Sequence, residues 1–377
     1  MRQIYLDFNA TTPIAPSVVE AMLPFLHGHF GNPSSVHTMG RAAKEAIQDG
    51  RAKVAGLLSC DPDEIVFTSC GTESNNLAIK GVMFNGRPTS RGHLVVSAIE
   101  HAAVLVPAQF LEKMGYELTV VPCDENGYVR PSSVEAALRP NTRLVSIMHA
   151  NNEIGTIQPI RQIAEICHSR NILMHTDASQ SVGKIATIVD ELDVDLLSLA
   201  GHKLYAPKGI GVLFVRNGVT LEPLLHGAAH ENGLRGGTQN TPYIVGLGQA
   251  ANLVRKCLDE SAVHMTGLRD RLQQRLIDEI PGLIVNGANA TRLPNTLSVA
   301  FPRIKGYDLL QRLPEVCASL GSACHSDGAV SSATLAAMGC SEARMAGTIR
   351  FSVGWYTSQD EIDRAAGLLI GAWEALA

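Results

Sequence analysis

Apolar positions along this chain fall into short runs separated by longer amphipathic stretches. Residues 64–69 form an apolar run with strand character, and 73–83 then carry helical spacing. The pattern repeats as strand 93–97, helix 102–114, strands 116–122 and 144–148, helix 160–170, then strands 172–176, 196–199 and 211–215. Strands and helices alternating at this interval predict an α/β layer on a largely parallel sheet. Near residue 250 the pattern changes. A long helix of mixed charge over 244–276 precedes strands at 296–301 and 348–353 and a closing helix over 360–376. These elements read as a smaller α+β domain. One stretch, 318–332, is small, polar and glycine-bearing with little apolar period. Loops of that length tend to be functional, and a thiol placed there, Cys324, is more exposed than a core cysteine.

Composition narrows the classes. At 377 residues, with 45% hydrophobic and 18% charged, the chain is long enough for a large core and too apolar for disorder. Its 31 basic and 36 acidic residues leave a net charge of −5, which disfavours nucleic acid as a partner. The apolar runs are too short for a membrane helix, and Asp7 comes too early for a signal peptide. The 8 cysteines are scattered without a Cys-x-x-Cys pair, so a disulfide scaffold or structural metal site is not expected. Reduced thiols in the cytoplasm are the expectation.

Five constellations carry candidate chemistry. Lys203 follows an apolar strand, in Ser198-Leu-Ala200-Gly201-His202-Lys203, ahead of a Pro/Gly turn. Asp177 ends an upstream strand, in His175-Thr-Asp177-Ala-Ser-Gln180. A lysine nucleophile with an acid facing a ring nitrogen is the pyridoxal phosphate pairing; a surface lysine and a strand-end acid is the plain alternative. Gly71 and Thr72 follow a strand and open a helix, which suits a phosphate, though read alone a plain helix cap by Thr72 with Glu73 in the first turn is the favoured reading. His101 follows another strand and could stack on a planar group or shuttle protons. Asn151-Asn152-Glu153 could orient a carboxylate or form a turn. Arg350, alternating inward on an apolar strand, requires an anion: a substrate carboxylate or a structural partner.

Taken together with Gly321-Ser-Ala-Cys324, the order and spacing of these motifs resemble the NifS/IscS-type cysteine desulfurases, fold-type I pyridoxal phosphate enzymes. The resemblance runs from Tyr5-Leu6-Asp7 to the last helix. It implies a large cofactor-binding domain over 15–255 and a small domain formed by 1–14 and 256–377, which carries the cysteine loop. It further implies Lys203 as the Schiff-base lysine, Asp177 on the pyridinium nitrogen, Gln180 on the ring hydroxyl and His101 stacked on the ring. Gly71, Thr72 and His202 would hold the phosphate, with Ala200 and Gly201 beside them. Thr238 would reach the partner subunit's phosphate, implying a homodimer. Asn152 and Arg350 would take the carboxylate of L-cysteine, and Cys324 would accept its sulfur for delivery to an acceptor protein.

Three departures from the family pattern stand out. The sequence stops at Ala377, directly after the last predicted helix, where the housekeeping enzymes resembled here carry a longer tail that helps dock the iron–sulfur scaffold, so that partnership is not expected. Ala200 occupies the place of a phosphate-binding serine. Cys324-His325-Ser326-Asp327 looks like the loop of selenocysteine lyases, which makes L-selenocysteine the rival substrate. An ordinary aminotransferase and a non-catalytic sulfur-relay adaptor are further alternatives, the latter opposed by intact Lys203, Asp177, His101 and Cys324.

Overall fold

The computed structural model describes residues 3–86, 91–320 and 332–377. Its centre is a seven-stranded sheet in the order Ile65–Thr68, Gly211–Val215, Leu196–Ala200, Leu173–Asp177, Thr142–Ser146, His93–Ser97, Glu117–Val121. The last five pair in parallel, and Gly211–Val215 runs antiparallel to both of its neighbours. Four of these strands, Ile65–Thr68, Gly211–Val215, Leu196–Ala200 and His93–Ser97, are buried at every residue. That is why they read as unbroken apolar runs and not as alternating ones.

Two helices, Pro16–His27 and Thr38–Leu58, are not flagged by the apolar pattern. The second buries Ala43, Gly50 and Ala55 beside Ile47 and Val54, so much of its packed face is small residues. It lies against the 39-residue helix Thr241–Glu279 at very close range: a Cβ on Gly248 would sit 2.6 Å from Gly50 Cα. Asn240 starts the long helix by accepting the Tyr243 N–H at 3.3 Å, and Pro242 fits its first turn.

The long helix serves two cores. Ile244, Leu247, Ala250 and Val254 pack with the large sheet, whereas Met265, Leu268, Leu272 and Leu276 pack with a second cluster. That second cluster covers a four-stranded antiparallel sheet in the order Ser319–Leu320, Thr348–Ser352, Thr296–Ala300, Ile284–Val285. The closing helix Gln359–Glu374 lies on it, begun by a Ser358/Glu361 capping box. Ile4 and Leu6 belong to this second core, and Ile4–Tyr5 pairs in parallel with Val316–Cys317. Phe8 already belongs to the first. The segment between them therefore crosses the junction of the two bodies, and Asn9 is pinned there by its N–H to Ser352 Oγ at 2.9 Å. Among the described residues no helix is long and apolar enough to cross a membrane.

Candidate active site

The carboxyl ends of the parallel strands open on the cleft between the two bodies, the usual place for a site in an open α/β sheet. Asp177 and Ala200 are the last residues of their strands, and Gly71 starts the helix that follows Ile65–Thr68. Arg350 enters from the small sheet. A cavity of about 300 Å³ gathers Gly71, Thr72, His101, Asn152, Asp177, Gln180, Ala200, His202, Lys203 and Arg350. Gly201 sits one layer behind, its N–H donating to the Ile210 carbonyl at 3.0 Å. Thr238 lines a separate cavity of about 210 Å³ with Ser69 and Arg235. Cys324 and His325 lie outside the described residues.

Lys203 leaves its strand through a short 3-10 turn and is followed by Tyr205 at φ +63°, an unusual conformation for a bulky residue. The surroundings hold Tyr205 there. Its N–H donates to Thr12 Oγ1 at 2.8 Å, its hydroxyl accepts the Trp355 N–H at 2.8 Å, and its ring stacks on Trp355 at 3.8 Å. The Lys203 ammonium donates to the carbonyls of Asn9 and of Ala10, the latter at 2.8 Å. Burial, assisted by Arg350 and opposed by Asp7 and Asp177, lowers its pKa to about 8. An amine so placed is still mostly protonated at neutral pH, but it gives up its proton far more readily than an ordinary lysine.

Asp177 is buried and held by neutral donors, Asn75 Nδ2 at 2.7 Å and the Ser179 N–H at 2.9 Å. It forms no ion pair among the described residues, so its charge remains available to a cation in the cavity. The Asn75 Oδ1 atom is buried without a partner. Behind Asp177, His175 bridges Ser146 and Ser198, and burial lowers it to about 4, a neutral structural histidine. His101 accepts the Ala103 N–H on Nδ1 at 3.1 Å, which assigns the proton of the neutral ring to Nε2. Burial and the neighbouring Lys203 lower His202 to about 4, so it too stays neutral.

Arg350 donates to Asp7 Oδ1 at 2.8 Å and to the Asn152 carbonyl at 3.0 Å, and its Nε is buried without a partner. Asp7, Asn9, Ala10 and Asn75 were not among the candidates from sequence. Asn75 was within reach, since it lies one helical turn beyond Gly71 on the same face. Asn9 and Ala10 act through backbone carbonyls, for which side-chain chemistry gives no signal.

The model of the family described as aminotransferase class-V matches residues 4–365. The chain belongs to that family. Among curated relatives of this class-V enzyme, cysteine desulfurase IscS of Dictyoglomus turgidum is 45% identical over 98% of the chain and 94% of the relative. Cysteine desulfurase IscS of Methanosarcina thermophila is also 45% identical, over 96% and 90%. A solved NifS-like protein superposes with a TM-score of 0.91 at 38% identity, covering 99% of each chain. A structure described as SspA in complex with cysteine gives 0.84 at 40%, covering 94% and 99%.

Members of this class are pyridoxal phosphate enzymes, and the cavity suits that group. The helix opening at Gly71 offers free N–H groups to a phosphate. A Cβ on Gly71 would come within 3.1 Å of Ala200 Cβ and 3.2 Å of Ser179 Oγ, so a side chain there would crowd the cradle. Ala200 itself contributes no hydrogen-bonding side chain. The unpaired Asp177 carboxylate matches a protonated ring nitrogen, and Lys203 matches the aldehyde carbon.

Proposed function

We propose that this class-V enzyme is a cysteine desulfurase that takes sulfur from L-cysteine, releases L-alanine and carries the sulfur as a persulfide on Cys324. One observation carries the reading: Lys203, Asp177 and Arg350 converge on a single cavity, each with unspent capacity. When bound there, pyridoxal phosphate supplies an electron sink for a carbanion on the substrate.

This chain's residues do the rest. Arg350 binds the substrate carboxylate, using an N–H that has no protein acceptor, while Asp7 and the Asn152 carbonyl fix the guanidinium plane. Asp177, braced by Asn75, holds a proton on the ring nitrogen. His101 would pack on the ring, and Gly71, Thr72 and His202 would hold the phosphate. Lys203, with its depressed pKa, takes the proton from the substrate α-carbon and returns a proton to the alanine carbon. The Cys324 thiolate attacks the substrate sulfur. The carbon–sulfur bond breaks, a sulfur–sulfur bond forms, and a proton takes the place of sulfur on Cβ. The persulfide then passes to an acceptor protein or small thiol, in a cytoplasmic setting.

Homodimerisation is part of the proposal. Thr238 lies in a second cavity and not in the one that holds Lys203. Leu26, Phe30 and Val36, 55%, 73% and 87% exposed, are apolar side chains that a partner subunit would cover. Sedimentation should give twice the chain mass.

The deciding assay compares alanine release from L-cysteine and from L-selenocysteine, for wild type and Cys324→Ala, with pyridoxal phosphate and a thiol reductant. Turnover of both substrates, with cysteine turnover lost in the variant, supports a desulfurase. Turnover of selenocysteine alone moves the assignment to selenocysteine lyase. Alanine from neither by the loaded enzyme defeats the reading.

A further inference from the structure

Lys184 is a buried lysine with no part in the chemistry above. It lies on the turn after Gln180, behind the cavity wall and not on it. Its Nζ donates to Gln180 Oε1 at 2.7 Å and to Asn9 Oδ1 at 3.0 Å. The charged groups that act on it, Lys203 and Arg350, are both cations, and together with burial they push its pKa well below the ordinary lysine range. It has no carboxylate partner among the described residues. Burying an amine in such a place is unfavourable, so the question is what its hydrogens do.

Both of its partners are wall residues. Gln180 and Asn9 line the cavity, and the Asn9 carbonyl also receives the Lys203 ammonium. Charged or neutral, the amine has at least two hydrogens, and these two oxygens take them. With Oε1 committed to Lys184, the Gln180 amide is turned so that Nε2 points away from Lys184. One Nε2 hydrogen goes to the Asn9 carbonyl at 3.0 Å. The second has no acceptor among the described residues. The amide therefore presents a donor, not an acceptor, to whatever fills the cavity.

We infer that Lys184 is a positioning residue: by bridging Gln180 and Asn9 it fixes the Gln180 amide as a hydrogen-bond donor to the phenolic oxygen of bound pyridoxal phosphate. The inference rests on the cofactor site proposed above. Lys184 touches no reacting atom and acts through Gln180. A donor on that oxygen favours its ionised form, and so lowers the pH at which the nitrogen joining Lys203 to the cofactor gives up its proton.

The test is a pH titration of the visible absorption of the pyridoxal phosphate-loaded enzyme, compared among wild type, Lys184→Met, Gln180→Met and the double variant. Methionine keeps the length of the lysine stem and removes its hydrogens. Lys184→Met should raise the midpoint by about one unit, a tenfold change in the proton equilibrium. The double variant should titrate like Gln180→Met alone. An unmoved midpoint in Lys184→Met overturns the inference. So does a shift of equal size in both backgrounds, because Lys184 would then act as a plain charge beside Lys203 and Arg350.

Gln180→Glu keeps Lys184 in place and leaves the inference open to refutation if Lys184→Met does not fold. It replaces the donor with an oxygen and should raise the midpoint further than Gln180→Met. A wild-type midpoint in Gln180→Glu overturns the inference. Wild type that gains no visible absorption on loading would defeat the cofactor site itself. Normal absorption with unmoved variants defeats only the role of Lys184.

Discussion

The ion pair between Arg51 and Glu231 sits beneath the strand that leads to the phosphate cradle, and it offers a sharp stability test. Its side chains are 8% and 2% exposed, and its two parallel bonds measure 2.9 and 2.8 Å. Glu231 also accepts the Phe67 N–H at 2.9 Å and a hydrogen from the Gln239 amide, one residue beyond Thr238. It holds these partners from a strained backbone, with Glu231 at φ +47° and Asn232 at +55°. Replacing Arg51 with Met leaves a buried carboxylate facing only neutral donors, which costs about 3–5 kcal/mol. Adding Glu231→Leu removes the stranded charge. The deficit peculiar to the double variant is then the Phe67 N–H without an acceptor, about 1–3 kcal/mol, while the Ile65 carbonyl has lost its Arg51 donor in both variants. Urea unfolding followed by far-UV circular dichroism, a probe that samples the whole chain, measures both. The double variant should be the more stable of the two. A cost below about 1 kcal/mol for Arg51→Met would refute the reasoning, as would a double variant less stable than the single one.

Three further predictions follow from the same geometry. Arg350→Ala removes a charge-assisted contact worth about 1.5–3 kcal/mol, so KM for L-cysteine should rise roughly 10- to 150-fold, while visible absorption of the bound cofactor stays normal. Asn75→Leu deletes the 2.7 Å bond to Asp177, and pyridoxal phosphate should then bind roughly tenfold more weakly in an equilibrium titration of the unloaded protein. Burial, with Asp177 adding to it, raises Glu100 to about 8, and its Oε2 has no partner. An unfolded glutamate loses its proton near ~4.3, so between there and about 8 the folded state holds the extra proton. Stability should fall across that window by at most about 1.4 kcal/mol per pH unit, and Glu100→Gln should flatten the slope; thermal unfolding at several pH values reads it.

What the sequence reveals here depends on where the information resides. Strands buried on both faces show as apolar runs, and residues at their carboxyl ends fall where a parallel sheet must put its site. Asp177, Lys203 and Gly71 stand out in the sequence for that reason, and the structure brings them to one cavity. Thr38–Leu58 does not stand out, because its packed face uses glycine and alanine to bring two helices together, and close approach leaves no hydrophobic period to count. The cavity floor was illegible for a different reason. Asn9 and Ala10 reach Lys203 through backbone carbonyls carried across from the other end of the chain, and no spacing rule joins positions 9 and 203.

Lys184 sits between these cases. Read alone, a lysine four residues after Gln180 suggests a solvated turn. Only burial among cations turns it into a question, and only its two acceptors give that question an answer. The ionisable groups on the cavity wall, Lys203, Asp177, His101 and Arg350 among them, were visible as chemistry in the sequence. Those that aim them, Asn75 behind Asp177, Asp7 behind Arg350 and Lys184 behind Gln180, become visible only as geometry, because a polar side chain reveals such a role by where its hydrogens are spent.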